Sequence, residues 1–270
     1  MRDLMKKYIS LRNFCPQDKF RQKVIEILCN NLFSKNSIAL DCIYQKMAKN
    51  INVPYCRRIY SLEGKFLSNK ICLKKIKKIN NPYAGHDLPV WLNDPFNSSK
   101  RIMILSQDPR RNDSEMKDTK MKDNVIGIST PFGVHSMVWR SHKSHGMPLY
   151  LAEELINCSD RNISVYFTDT YKLRGVGPKS VVDTCNKDVY KNILYEEIKL
   201  FNPDIILAIG KHAHQAITSM ASCITSKAHI INVPHPNARP KTWQNKYPSI
   251  TNYSTEEKLR YVLKDIFPYL

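Results

Sequence analysis

The chain has 270 residues, 42% of them hydrophobic, with 42 Lys and Arg against 24 Asp and Glu. That length suits one large α/β domain or one domain with an extension, and the apolar share is ample for a packed core. The formal charge of +18 and pI near 9.5 favour a polyanionic partner, nucleic acid before a membrane surface. The plainer explanation of the charge is a general richness in lysine. Apolar runs such as IILAI at 205–209 are far too short to cross a bilayer, and MRDLMKKYIS has no apolar signal core. A cytoplasmic protein with no membrane partner is the expectation. The eight cysteines (15, 29, 42, 56, 72, 158, 185 and 223) form no CxxC pair, so reduced thiols, no cofactor and no metal are expected. Five of them precede residue 73, which keeps an N-terminal iron–sulfur or zinc site open as an alternative.

Residues 1–97 read as a basic, mostly helical extension. DKFRQKVIEILCNNLF at 18–33 carries apolar residues at helical spacing, and LKKIKKI at 73–79 sets a basic stripe around isoleucines. Residues 1–100 hold 19 Lys and Arg against 7 Asp and Glu, about two thirds of the net charge. Such a run is a solvated helix face or a surface turned toward nucleic acid. NNPYAGHDLPVWLNDPFNSS at 80–99 is turn-rich and reads as an irregular surface connection.

From residue 98 the pattern changes. RIMIL (101–105), ISVYF (163–167), DIILAI (204–209) and AHIINV (228–233) are short apolar runs without alternation, as in strands buried on both faces. MPLYLAEELIN, NKDVYKNILYEEIKLF and KHAHQAITSMAS lie between them with helical spacing, and STEEKLRYVLKDIFPYL closes the chain behind a Ser-Thr-Glu-Glu cap. Strand–helix alternation predicts a three-layer α/β/α domain over 98–270 around a central four-stranded parallel sheet. RRNDSEMKDTKMKDN at 110–124 reads as a loop.

Open parallel sheets bind ligands at the carboxyl ends of their strands. Here those ends lead into SQDPRR, TDTYK, GKHAH and PHPNARP, so carboxylates, histidines and cations share one rim, with no Gly-rich dinucleotide or phosphate loop. His135, His142 and His145 lack an acidic or cysteine partner and read as a polar or phosphate-facing loop rather than a metal site.

These stretches, in this order, resemble the uracil-DNA glycosylase superfamily. SQDPR is similar to its GQDPYH motif, and HPNAR to its HPSPL or HPSPR motif. ISTPFG at 128–133 matches the place of its base-stacking phenylalanine, and VYFTDTYK at 165–172 the strand that ends in its base-reading asparagine. Each motif alone is weak; the ordered set over residues 98–245 is strong. The resemblance implies a monofunctional DNA glycosylase, likewise a monomer on DNA, that hydrolyses the N-glycosidic bond of a flipped-out pyrimidine without a metal. Asp108 takes the place of the carboxylate that stabilises the oxocarbenium-like sugar and orients water. His235, with the Gln107 backbone N–H, takes that of the donor to the base O2. Phe132 would stack on the base, Arg239 fill the vacated space, and Gly210, Lys211 and Asn237 meet DNA. Taken singly, Asp108 is a turn residue before proline, His235 a loop residue, and Phe132 a core plug.

Two positions depart from the family pattern. Arg110 stands where a tyrosine excludes the thymine methyl group, which opens the C5 side and, with Arg111, offers donors to a polar substituent or a phosphate. Asp169 stands where the asparagine reads uracil. An ionised aspartate opposes O4 but accepts from a cytosine amino group. Because excision of ordinary cytosine would destroy the host genome, the expected substrate is a 5-modified cytosine, in an antiviral or repair role. The alternatives are an ordinary uracil-DNA glycosylase and a catalytically silent DNA-binding protein of the same fold.

Overall fold

All four apolar runs form mutually parallel strands of one sheet. The computed structural model describes residues 18–33, 36–50, 60–63, 85–107, 125–134, 146–157, 162–172, 187–221 and 228–270. Strands β1 (Tyr60–Glu63), β2 (Gly85–Asp87) and β3 (Val90–Leu92) precede β4 (Lys100–Ser106), the first of the four. After β5 (Val125–Ser129) come β6 (Ile163–Asp169), β7 (Ile205–Ile209) and β8 (His229–Val233). The main sheet runs β3-β6-β4-β7-β8, with β6, β4, β7 and β8 mutually parallel and β3 antiparallel at the edge.

Every residue of β6 and β7 is buried, so both faces of the sheet must be covered. On one face lie helices α1 (Asp18–Leu28), α2 (Ser37–Asn50) and α4 (Lys187–Phe201). There the Phe20 ring meets Trp91 at 4.9 Å, Tyr166 at 6.1 Å and Phe201 at 6.2 Å between centroids, mostly edge to face. α1 runs on into a π turn over Cys29–Phe33, where Asn31 donates to the Ile27 carbonyl and to Glu196 of α4. The other face is covered by α3 (Met147–Asn157) and α7 (Thr255–Ile266), which pack on each other and on β6 and β8. The Ser254 hydroxyl caps α7 by accepting the Glu257 N–H, and Glu257 accepts back from Asn252 and Thr251.

The stretch 80–99 departs from the expectation of an irregular surface connection. His86 to Leu92 are buried, and β2 and β3 place this segment in two sheets at once. β2 runs parallel to β5 in a small sheet ordered β1-β5-β2, while β3 extends the main sheet. The central sheet therefore has a fifth, antiparallel strand beyond the expected four. Proline and aspartate around a three-residue strand hid it, because three residues are too few to show a period. Residues before position 98 thus share the core of the α/β domain. Segment 73–79 and the loop 110–124 lie outside the described residues. Among the described residues, no helix is long and apolar enough to cross a membrane.

Candidate functional site

The carboxyl ends of β6, β4, β7 and β8 line one edge of the sheet in that order, carrying Asp169, Gln107, Gly210 and His235. Three spacings of about 4.8 Å separate the first strand from the last, leaving about 14 Å between Asp169 and His235 along the rim. Asp108, Arg110 and Arg111, and also His135, His142 and His145, lie outside the described residues.

At the β4–β6 end, Ser106 and Asp169 are register partners, 6% and 2% exposed, and the Ser106 hydroxyl donates to Asp169 Oδ1. The strand ends are stitched together beyond the ladder. The Thr170 N–H (2.8 Å) and hydroxyl (3.0 Å) both donate to the Ser106 carbonyl, and the Tyr171 N–H donates to the Gln107 carbonyl at 2.9 Å. Directly behind Asp169 lies a feature that sequence reading missed. Lys172 is buried with its ammonium donating to Glu197 of α4 (2.9 Å), the Thr168 hydroxyl (2.6 Å) and the Asp169 carbonyl (3.1 Å). Burial raises the Glu197 carboxyl above its ordinary pKa, while the Lys172 ammonium and the Thr168 hydroxyl pull it down. One signal did exist: position 197 falls on the apolar stripe of α4, with Ile193, Leu194, Ile198 and Phe201.

His86 of β2 completes this wall. Its ring lies 5.3 Å from Phe33 and 6.2 Å from Tyr190 between centroids, and neither ring nitrogen finds a hydrogen-bond partner among the described residues. Burial, with the charge of Lys172 adding to it, lowers its pKa to about 3, so the ring is neutral.

Phe132 sits in the turn after β5, half-buried against the core, with φ 53 and ψ 11. A left-handed backbone costs a non-glycine residue about 1–2 kcal/mol, and Gly133 follows with φ 62. The turn contacts β6. It is tethered to the rim through the buried segment, because the Leu88 N–H donates to the Ser129 carbonyl and the Asp87 N–H to the Lys172 carbonyl. The segment 85–92 thereby links the Phe132 turn to the end of β6.

At the other end of the rim, β7 passes through Gly210, with φ 87, into α5 (Lys211–Ser219), whose first residues Lys211 and His212 are exposed. The Gly210 N–H donates to the Val233 carbonyl at 2.7 Å, and a Cβ at Gly210 would lie 3.6 Å from that of His235. His235 is exposed, between the buried Pro234 and Pro236. Its Nδ1 accepts the Asn237 N–H at 3.1 Å. A neutral ring so held carries its proton on Nε2 and offers it as a donor. The His235 carbonyl accepts the Ala238 N–H (2.8 Å) and the Trp243 indole N–H (3.2 Å) from α6 (Pro240–Lys246). Lys258 of α7 donates to the Pro236 carbonyl at 3.0 Å, its ammonium 5.1 Å from the Trp243 ring centre, and partial burial lowers its pKa. Asn237 and Arg239 lie on this loop, Asn237 exposed and Arg239 directly before α6. Trp243 and Lys258 were not singled out from sequence.

Among the described residues no group of three or more His, Cys, Asp or Glu is placed to hold a metal, and Cys29 and Cys42 are free thiols. Cys15, Cys56 and Cys72 lie outside the described residues. The described rim thus offers a buried carboxylate, an imidazole donor and a helix N-terminus along one sheet edge.

A doubly wound sheet with polar groups gathered at its carboxyl edge defines a three-layer α/β protein built to bind at that edge. The family model of the uracil DNA glycosylase superfamily matches residues 94–260, from just after β3 into α7. This chain belongs to the uracil DNA glycosylase superfamily. A search of the curated proteins finds no match to it.

Proposed function

We propose that this protein is a monofunctional DNA glycosylase that hydrolyses the N-glycosidic bond of a flipped-out pyrimidine, and that the base is a 5-modified cytosine rather than uracil. The observation that carries the choice of base is Asp169, a buried carboxylate at the end of β6 beside Gln107. A carboxylate accepts from the cytosine 4-amino group and opposes the O4 of uracil. Asp108, following Gln107, stabilises the cationic sugar and orients the attacking water. The C1′–N1 bond breaks with its electron pair leaving on the base, and water supplies hydroxide to C1′ and, in the end, a proton to the released base. His235 suits the donor to O2, because its Nδ1 accepts the Asn237 N–H, which puts the proton of the neutral ring on Nε2. The left-handed Phe132 supports a stacking role, since such backbone strain gathers at ligand sites.

Arg110 leaves the C5 side open to a substituent, and Arg111, Gly210, Lys211, Asn237 and Arg239 meet the DNA backbone and the vacated stack. The Lys172 ammonium is committed to Glu197 and Thr168, which removes that amine as a Schiff-base nucleophile. An antiviral role, or repair of such bases, follows from the substrate.

Excision from duplexes carrying uracil, cytosine or 5-hydroxymethylcytosine tests the reading. The expected result is release of the modified cytosine, with Asp108→Asn abolishing release while DNA binding persists. Release of uracil alone, or full turnover by Asp108→Asn, would overturn it.

A further inference from the structure

We infer that Ser106 is a specificity-determining residue: its hydroxyl holds Asp169 as a hydrogen-bond acceptor and so selects a base presenting an amino group over one presenting a carbonyl. This rests on the reading of Asp169 as the base-contacting carboxylate and extends it to the residue that sets its state.

Ser106 and Asp169 end adjacent parallel strands in register, so their side chains leave the sheet on the same face. The Ser106 hydroxyl has one proton to give, and it gives it to Asp169 Oδ1. Donation to a carboxylate favours its ionised form and fixes the plane of the group. Both residues are almost wholly buried, so bulk water does not compete for that oxygen.

The hydroxyl is not what holds the strand ends together. Four other hydrogen bonds stitch this corner, from the Thr170 N–H and hydroxyl to the Ser106 carbonyl, from Tyr171 to Gln107, and from Lys172 to the Asp169 carbonyl. None of them uses the Ser106 side chain. Its removal therefore acts on the carboxylate rather than on the backbone.

The chemical consequence is directional. An ionised Asp169 can only accept: with Oδ1 held by Ser106, Oδ2 accepts one N–H of a 4-amino group and opposes a 4-keto oxygen. Without the Ser106 proton, the carboxyl takes up a proton of its own more readily. In that state it can donate to a keto oxygen, and discrimination narrows.

Single-turnover excision from duplexes carrying 5-hydroxymethylcytosine, cytosine or uracil, by the wild-type chain and by Ser106→Ala, Ser106→Thr, Ser106→Cys and Asp169→Asn, tests this. The readout is the ratio of amino-base to keto-base release. Ser106→Ala should lower the ratio by about tenfold, the worth of one hydrogen bond to a charged group. Ser106→Thr, which keeps the hydroxyl, should preserve the ratio, and Asp169→Asn should turn it toward uracil. Should the alanine variant fold poorly, Ser106→Cys, close in size but a weak donor, should lower the ratio in its place. An unmoved ratio in the variants without a hydroxyl, or equal loss on all bases, overturns the role of Ser106 alone. Uracil-only release by the wild-type chain, or an Asp169→Asn ratio equal to wild type, overturns the reading of Asp169 and this inference with it.

Discussion

The two ends of the binding edge are built on opposite principles. At β6, Asp169 is buried and backed by side chains: Ser106 in front, and the Lys172–Glu197 pair, Thr168 and His86 behind. At β8, His235 stands in the open and is held through main-chain carbonyls, its own by Trp243 and that of Pro236 by Lys258. The buried end is costly to assemble but rigid once formed, because each charge there must be matched. The exposed end costs little and fixes the His235 ring through the Asn237 N–H on its Nδ1. Under the proposed function, one end reads the base and the other donates a hydrogen bond to it, and such a site has use for both.

Three measurements can break or sharpen this contrast. Lys172→Met would leave Glu197 as an uncompensated buried charge, at a cost of about 3–5 kcal/mol in denaturant unfolding. Replacing both partners with apolar residues should recover most of that loss. A single substitution costing under about 1 kcal/mol would mean that this end is not charge-matched at all.

His86 gives the next effect. Its pKa is lowered to about 3 in the folded chain, so the unfolded chain binds a proton below about pH 6.5 that the folded chain refuses. Stability is therefore full above pH 6.5 and falls as pH drops toward 3, by about 2 kcal/mol between pH 6.5 and 5. His86→Leu should flatten that part of the stability–pH curve; an unchanged slope would remove His86 from the wall.

The smallest effect belongs to the open end. Trp243→Phe keeps the packing but deletes the indole donor to the His235 carbonyl, with about 1 kcal/mol lost in stability. Base release should fall several-fold while DNA binding holds. Equal loss of binding and release would mean that Trp243 supports the whole loop rather than the placement of His235.

Much of this architecture is legible in the amino-acid order, for physical reasons. Strands β4, β6 and β7 are covered on both faces over most of their length, so they show as unbroken apolar runs, while β8, with His229 and Asn232 exposed, is read from its three apolar residues and its place in the strand–helix alternation. Rim residues such as Asp169 and His235 follow them directly, where any ligand-facing group must sit. The Ser254–Glu257 cap is readable because its chemistry is local. Helix α2, with its polar residues at 41, 45 and 46, leaves no clean stripe, and β2 and β3 are too short to show a period. Lys172, Glu197 and His86 are invisible for another reason. A charged residue in a sequence is presumed solvated, and only the meeting of β6 with α4, and of β2 with Lys172, turns these three into a wall. The cost and rigidity of that end arise from tertiary contacts alone.

The aromatic cluster around Phe20 has a consequence for where the molecule can be cut. The family match begins at Asp94, yet Phe20, Tyr44 and Trp91 all lie before it, Phe20 against Tyr166 of β6 and Phe201 of α4, Trp91 against Tyr166, and Tyr44 against Trp91. A chain trimmed to the matched region would lose the β3 edge and open one face of β6 to water. The length shared with relatives and the length that must fold together are different quantities here, and the second is longer.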